Sequence, residues 1–467
     1  MSNYKKLENN LKELVSKYEH DEYIESRTRK KDGLKIIGIT GSNGKTTTAM
    51  IVHEYLKRIG KTSVLFASCG IDLEISNYSY NNEVEIPIYN ETSLINAING
   101  AIKERADYLI LEINERTIEK GYIEGIPFSI RALTNIVPKH NTLSYTEEEY
   151  VNIKKSFFKV DDEDDCTCIY TLTEKELLED LIRQNNKPYK VVSSEYVARV
   201  KGVEEAKIDY MLHQGTKEFD SLEGLNFNIK TKTKDVECHT NLIMPFNALN
   251  ITLAYAILDS LGEMEDSEFN QLLEEIKIPG RDEVIRYNGR TIIITITCTP
   301  HLEIIKRYKE KGKVKNIRLV TGSFGKGFNS WLEEYKEEKF TKYVEESMRW
   351  AYSYFIKNVD QIYITTNDNA YSNITELLGK QKKEVEGKTT YFLIEDRKEA
   401  IKKAIEDSER NDVIIISGRG NRSIFCKDRR NVEIYLDRSI VEESDSYSHL
   451  RANETLANHL CRLLNDK

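Results

Sequence analysis

The chain runs to 467 residues, with 68 Lys and Arg against 77 Asp and Glu, a formal net charge of −9. Hydrophobic residues at 39% and charged residues at 31% suit a chain that buries real cores in roughly two to four domains, and they exclude a collagen, a low-complexity polymer and a disordered tail. The acidic balance excludes nucleic-acid binding through a bulk basic surface, and no apolar run approaches the ~20 residues that span a bilayer.

The first segment is polar and charged, neither a signal peptide nor an anchor, so a cytoplasmic chain is expected. Leu7, Leu11, Leu14 and Val15 space a helix over 5–20, and the charged stretch 27–32 reads as a linker. KIIGIT (35–40) then reads as a strand and 46–59 as a helix. TSVLFAS (62–68), YLILEIN (108–114) and IRALTNI (130–136) are further strands. This alternation predicts an α/β fold, a parallel sheet with helices on both faces. Helices follow at 247–261 and 266–276, and Pro279-Gly280-Arg281 marks a turn. Beyond it TIIITIT (291–297), IRLVTG (317–322), QIYITTN (361–367), TYFLI (390–394) and DVIIIS (412–417) are strands, with helices at 301–310, 396–408 and 448–464. We therefore expect a short N-terminal segment over 1–33, a central domain over 34–283 and a second α/β domain over 284–467. The seven cysteines are scattered, and Cys166 and Cys168 stand too close for a zinc knuckle, so free thiols in a reducing compartment are expected.

The most specific motif is Gly38-Ile39-Thr40-Gly41-Ser42-Asn43-Gly44-Lys45-Thr46-Thr47-Thr48, which follows a strand and opens a helix. Glycines let backbone N–H groups turn inward around phosphate, and a helix N-terminus adds positive potential. Residues 41–47 thus read as a nucleotide phosphate loop of the kind that kinases, GTPases, motor ATPases and ligases share, with Lys45 on the β- and γ-phosphates and the Thr46 hydroxyl on Mg²⁺. The first glycine of the usual pattern would stand at position 39; here Ile39 does, and Gly38 comes one place early.

GITGSNGKTTT resembles the ATP loop of the Mur ligases, ATP-dependent amide-forming enzymes of cell-wall precursor synthesis, and the likeness extends over roughly 34–467. TNIVPKHNTLSYTEEEYVNIKKSFF (134–158) resembles the family's second signature. The resemblance implies that Thr134-Asn135 is the Thr-Asn pair, that His140 ligands a second Mg²⁺ and that Lys154 is carbamylated. It implies Glu112 as the first Mg²⁺ ligand, Asn247 and Asn250 at the adenine and Arg281 at nucleotide phosphate. In the last domain it implies amino-acid contacts from Asp368, Asn369, Tyr371, Arg419 and Arg422. Lys45, His140 and Lys154 would then be the catalytic set. The order of motifs is most similar to the branch that adds the third stem-peptide residue, with a central phosphate-loop ATPase domain and a Rossmann-like C-terminal domain. The partners implied are ATP, a carboxylate acceptor and an amino acid, with no nucleic acid and no membrane. The C-terminal domain is expected to close over the reacting groups and exclude water.

The departures from the pattern are informative. About 33 residues precede the phosphate strand, where that branch has a full nucleotide-sugar domain, so a complete UDP pocket is not expected within this sequence. Glu-Val-Ser-Ser-His becomes Glu112-Ile113-Asn114-Glu115-Arg116, and Asp-Asn-Pro-Arg becomes Asp368-Asn369-Ala370-Tyr371. Gly-Lys-Gly-His-Glu becomes Gly418-Arg419-Gly420-Asn421-Arg422. Arg422 reverses the charge that selects a basic far end, which favours an acidic or neutral amine, and Arg419 and Arg422 could grip a carboxylate. A nonstandard acceptor follows: a peptide, a pseudomurein-type precursor or a natural product. The alternatives are a γ-glutamyl ligase resembling folylpolyglutamate synthase, or a non-catalytic subunit that binds ATP.

Overall fold

The computed structural model describes residues 33–68, 70–73, 91–138, 145–160, 165–184, 186–214, 219–323, 337–367, 372–422, 424–426 and 432–444. The helices expected at 5–20 and 448–464, and the linker at 27–32, lie outside them. Two compact units part between Ile278 and Pro279.

The first unit begins with β1 (Lys35–Thr40), the phosphate loop and α1 (Lys45–Arg58). It continues through β2 (Ser63–Ala67), β3 (Gly70–Leu73), α2 (Glu91–Lys103), β4 (Tyr108–Ile113), the short α3 (Glu115–Glu119), β5 (Phe128–Leu133) and α4 (Glu147–Ser156). Next come β6 (Thr167–Thr171), α5 (Lys175–Arg183), β7 (Tyr189–Ser194), α6 (Glu195–Val200), β8 (Tyr210–His213), β9 (Asp220–Ser221), β10 (Gly224–Lys230) and β11 (Asp235–Thr240), and α7 (Phe246–Ser260) and α8 (Asp266–Glu275) close the unit. The sheet order is β11-β10-β8-β7-β6-β5-β1-β4-β2-β3, with β9 beside β10.

Strand alternation explains the layers. Ile37 and Ile39 face the core made with α1 and α7, while Ile36 faces the opposite core with Leu109, Leu111 and Phe128. α7 is buried over most of its circumference, from Asn247 to Leu258, as suits a helix enclosed on several sides. Gly38 belongs to the strand rather than to the phosphate loop. A Cβ there would stand 2.7 Å from the rings of both Phe128 and Phe157, so the glycine lets two aromatic rings pack on β1. That crowding accounts for a glycine one place early in the motif.

The parallel arrangement expected from the sequence holds from β2 across to β8. It fails at the margins, where β3 runs antiparallel to β2, and β10 runs antiparallel to β8 and β11. The hairpin of β10 and β11 has no intervening helix, and parallel pairing needs a crossover. β11 alternates exposed and buried residues along its whole length, as befits an edge with one wet face.

The second unit contains β12 (Glu283–Tyr287), β13 (Arg290–Thr295), α9 (Thr299–Glu310), β14 (Ile317–Thr321), α10 (Glu337–Asn358), β15 (Gln361–Ile364) and α11 (Ile374–Val385). β16 (Thr390–Leu393), α12 (Arg397–Glu406), β17 (Val413–Ser417), the hairpin β18 (Ile424–Cys426) and β19 (Val432–Ile434), and a helix at 437–444 complete it. The order β12-β13-β17-β14-β15-β16 is parallel except for β12. Arg397 forms a two-pronged ion pair with Asp437, at 3.0 and 2.7 Å, and all three of Arg397, Arg419 and Asp437 are enclosed. Among the described residues no helix is long and apolar enough to cross a membrane. Cys238 and Cys298 are free thiols, and they are buried, as are Cys166 and Cys168.

Candidate active site

Three parallel strands deliver the site. β1 ends at Thr40, β4 at Ile113 and β2 at Ala67, so the residues just past them share one sheet edge, the carboxyl end where open α/β sheets bind ligands. Thr40 Oγ1 donates to the Ile113 carbonyl at 2.8 Å and ties two of these ends together.

The loop 41–44 is clamped from outside. Ser42 N donates to Asn135 O at 2.9 Å, and Asn43 N to Asn135 Oδ1 at 3.1 Å. Thr134 Oγ1 and Asn135 Nδ2 donate to Asn43 O at 2.6 and 2.9 Å. The Thr134-Asn135 pair therefore shapes the loop. Gly41 has φ 143, and a Cβ on it would lie 2.0 Å from Thr134 Oγ1 and 2.8 Å from Asn135 O. Gly41→Ala combines left-handed strain of about 1–3 kcal/mol with that clash. We expect a lower thermal midpoint and at least a tenfold loss of ATP affinity, checked by scanning calorimetry and titration calorimetry on the same preparation.

Lys45 opens α1 and its Nζ donates to the Gly41 and Ser42 carbonyls at 2.9 and 3.0 Å. Thr46 Oγ1 donates to Glu112 Oε2 at 2.8 Å and meets Ser68 Oγ at 2.7 Å, while Ser68 N donates to the same Glu112 oxygen at 2.9 Å. A hydroxyl and a buried carboxylate in contact beside a phosphate loop are hard oxygen donors that suit Mg²⁺. Among the described residues no group of three His, Cys, Asp or Glu side chains gathers as a metal cage. Asn250 and Asn247 are buried at the start of α7, joined at 3.1 Å, and Asn250 Oδ1 sits where a Cβ on Gly44 would reach within 2.2 Å. Asn250 thus borders the loop, with Asn247 hydrogen-bonded behind it.

Behind the loop lies α4. Its N-terminus carries a reciprocal capping box between Thr146 and Glu149, and helical spacing puts Tyr150 and Lys154, one turn apart, on the buried face. Tyr150 OH meets Ser42 Oγ at 2.9 Å. Lys154 Nζ forms an ion pair with Glu115 Oε2 at 3.1 Å and donates to Thr40 Oγ1 at 3.3 Å. Burial, offset by Glu115 and reinforced by Lys45, brings the Lys154 amine down to about 8. Burial works against ionised Glu115, yet Lys154 and Lys45 prevail and hold it at about 2. Burial, then the Glu115 charge, push the Tyr150 phenol up.

The structure brings Lys45, Thr46, Glu112, Asn247, Asn250 and Lys154 to this edge of the first unit. His140, Asp368, Asn369 and Tyr371 lie outside the described residues. Arg281 stands half-buried after Gly280, just before β12. Arg419 departs from its expected role. It is wholly enclosed, pairs with Asp437 at 3.4 Å, donates to the Arg422 carbonyl at 2.8 Å and lies over the Tyr435 ring at 4.5 Å. A guanidinium so committed braces the 419–422 turn instead of meeting a substrate carboxylate. Ser68 and Tyr150 escaped the sequence reading. The signals were there: a hydroxyl directly after a strand, and a tyrosine one helical turn before Lys154.

The Mur ligase middle domain family matches residues 39–258. A curated relative from Clostridium botulinum, "UDP-N-acetylmuramoyl-L-alanyl-D-glutamate--2,6-diaminopimelate ligase", is 25% identical over 426 residues, 88% of this chain and 77% of its own length. The solved MurF ligase from Thermotoga maritima in complex with ADP aligns with a TM-score of 0.61 at 15% identity, over 92% of this chain and 84% of that one. Folylpolyglutamate synthase from the same organism aligns with a TM-score of 0.59 at 16% identity, over 90% and 91%. The two structures share the fold expected from the sequence. The phosphate loop and the Thr46–Glu112 contact both lie inside the matched stretch, and residues 39–258 carry the Mur ligase middle domain.

Proposed function

We propose that this ligase joins an amino acid to a nonstandard peptide or cell-wall-like carboxylate through an acyl phosphate, in the cytoplasm. The observation that supports it is the cluster of Lys45, Thr46 and Glu112 at one sheet edge, with Thr46 and Glu112 in direct contact. ATP would lie along residues 41–47, with Asn247 and Asn250 toward the base, Arg281 toward phosphate and Mg²⁺ on Thr46 and Glu112. A second Mg²⁺ on His140 rests on the sequence motif alone. Bound there, ATP and Mg²⁺ supply an electrophilic phosphoryl group and neutralise its charge.

This chain's own residues do the rest. Backbone N–H groups of the loop and Lys45 Nζ hold the transferring group and take up the charge that develops on its oxygens. The acceptor carboxylate forms a bond to phosphorus as the bond to ADP breaks. The amine then forms a bond to the acyl carbon, phosphate leaves and the nitrogen gives up a proton. In the second unit, Asp368, Asn369, Tyr371 and Arg422 are assigned to the incoming amino acid, and Arg422 favours an acidic or neutral side chain.

Amino-acid-dependent phosphate release from ATP tests this. Each amino acid is paired with UDP-linked peptides, free peptides and a pteroate-type glutamate acceptor, and products are read by mass. Release that needs both partners, with a new amide, is the expected result, and aspartate, glutamate or a neutral amino acid should outperform lysine at least tenfold. Preference for lysine would remove the role of Arg422. A γ-glutamyl product on the pteroate acceptor would move the enzyme to the folate side of the family. ATP binding without release for any pair would mean a non-catalytic subunit.

A further inference from the structure

Lys154, fully enclosed, and Glu115, whose side chain keeps 17% of its surface exposed, form an ion pair directly behind the phosphate loop, and the reaction steps above leave it without a task. The sequence builds the pair from two short elements. Asn114 ends β4 in an extended conformation and caps α3, its Oδ1 accepting from Thr117 N at 2.8 Å. The next residue, Glu115, is therefore the first of the helix, with its carboxylate carried back toward the strand end. Lys154 comes from the buried face of α4, and its side chain is fully enclosed. Around its nitrogen stand Glu115 Oε2 at 3.1 Å, Thr40 Oγ1 at 3.3 Å and the Tyr150 ring, with its centroid at 5.6 Å. Thr40 donates its own proton to Ile113 O and so receives one from Lys154.

We infer that Glu115 keeps Lys154 an unmodified ammonium ion and is itself the carboxylate that this part of the site presents, where the family resemblance places a carbamate. Charge counting carries the argument. The observed pair is neutral overall. Carbamylation adds CO₂ to the free amine and releases a proton, so the lysine changes from cation to anion. With Glu115 in contact at about 3 Å, a second negative charge would then stand beside the first, on the side of Glu115 turned from solvent, and like charges at that distance disfavour each other even with the Lys45 cation nearby. The reaction also needs a free amine, which a contacting carboxylate withholds. In the pattern that this chain resembles, a serine stands where Glu115 stands, so the carboxylate is a property of this sequence. Glu115 is a positioning residue: it acts through Lys154, which in turn holds Thr40 at the end of the phosphate strand. The inference deepens the ligase reading by assigning the charge at the same site, yet its test does not require turnover.

The full-length protein, E115S, E115Q and, as a blank, K154R are incubated with isotopically labelled bicarbonate, with and without Mg²⁺ and ATP. Carbamates are trapped by alkylation with a trialkyloxonium salt, and peptides are read by mass. The wild type is expected to carry no label at Lys154 in either condition, while E115S and E115Q carry at least tenfold more, and K154R none. Label at Lys154 in the wild type overturns the inference. So does a bare Lys154 in E115S. E115Q keeps the shape and loses the charge, so it answers for the charge if the serine variant folds poorly; a bare Lys154 in E115Q also overturns the inference. Failure of the ligase reading would appear separately, as no amide with any substrate pair and an unaltered labelling pattern.

Discussion

Glu112→Gln should lower ATP-dependent product formation about a thousandfold while leaving the fold intact. Glu112 is buried at the end of β4, and one of its oxygens accepts from both Thr46 Oγ1 and Ser68 N. Glutamine keeps the size and can still accept those bonds through its amide oxygen, so the strand end has no reason to rearrange. What disappears is the negative charge. A metal clamp supplies several kcal/mol to a transition state that carries charge on phosphoryl oxygens, and ~1.4 kcal/mol corresponds to a factor of ten in rate. Product formation measured against Mg²⁺ concentration checks it. The variant should need far more Mg²⁺ and remain slow at saturation, with an unchanged thermal midpoint. Normal turnover at ordinary Mg²⁺ would take Glu112 out of the metal site.

Asp437→Ala should cost about 3–5 kcal/mol, the range seen when one partner of a buried ion pair is removed. Asp437 accepts from Arg397 at 3.0 and 2.7 Å and pairs with Arg419 at 3.4 Å, and none of the three reaches solvent. Burial alone would raise the Asp437 carboxyl, but the two guanidinium groups hold it below its ordinary range. Without it two cations remain enclosed and uncompensated. Arg397 also donates to the Ser417 carbonyl at 3.0 Å, so the loss spreads to the end of β17. The thermal midpoint of the second unit should fall by roughly 10 °C by scanning calorimetry. Breaking the exposed Lys342–Glu346 pair with K342A should leave it unchanged, because solvated pairs contribute little. Equal shifts in the two variants would contradict this account.

Local patterns were legible in the sequence and distant pairings were not. The phosphate loop could be read because its chemistry lies within eleven consecutive residues between a strand and a helix. The long apolar strands YLILEI and VIIIS could be read because both faces are buried, which leaves continuous runs. β10 and β11 carry only alternating apolar residues, a weaker signal than a continuous run, so the antiparallel margin of the first sheet is not legible in the sequence. Glu112 and Lys154 are unremarkable singly, and only their order behind the loop pointed to a site. Arg419 shows the limit. Its motif suggested a substrate contact, while its partner Asp437 lies eighteen residues on and is joined to it only by folding. Glu115 looked like a mere departure from a pattern until α3 and α4 brought it against Lys154.

The two sheets differ in how they can be assembled as the chain is made. In the first, β1 is synthesised early and lies centrally, so β4 and β5 can add to its two sides as they emerge. In the second, β17 lies between β13 and β14, which do not pair with each other. Until residues 413–417 leave the ribosome, this unit consists of two half-sheets, each with an open, apolar edge. Such edges invite pairing with other chains, and late, long-range strand insertion is slow. During biosynthesis the second unit is thus the part of the protein that should depend most on chaperones, and slowed translation just before β17 should lower the yield of soluble enzyme.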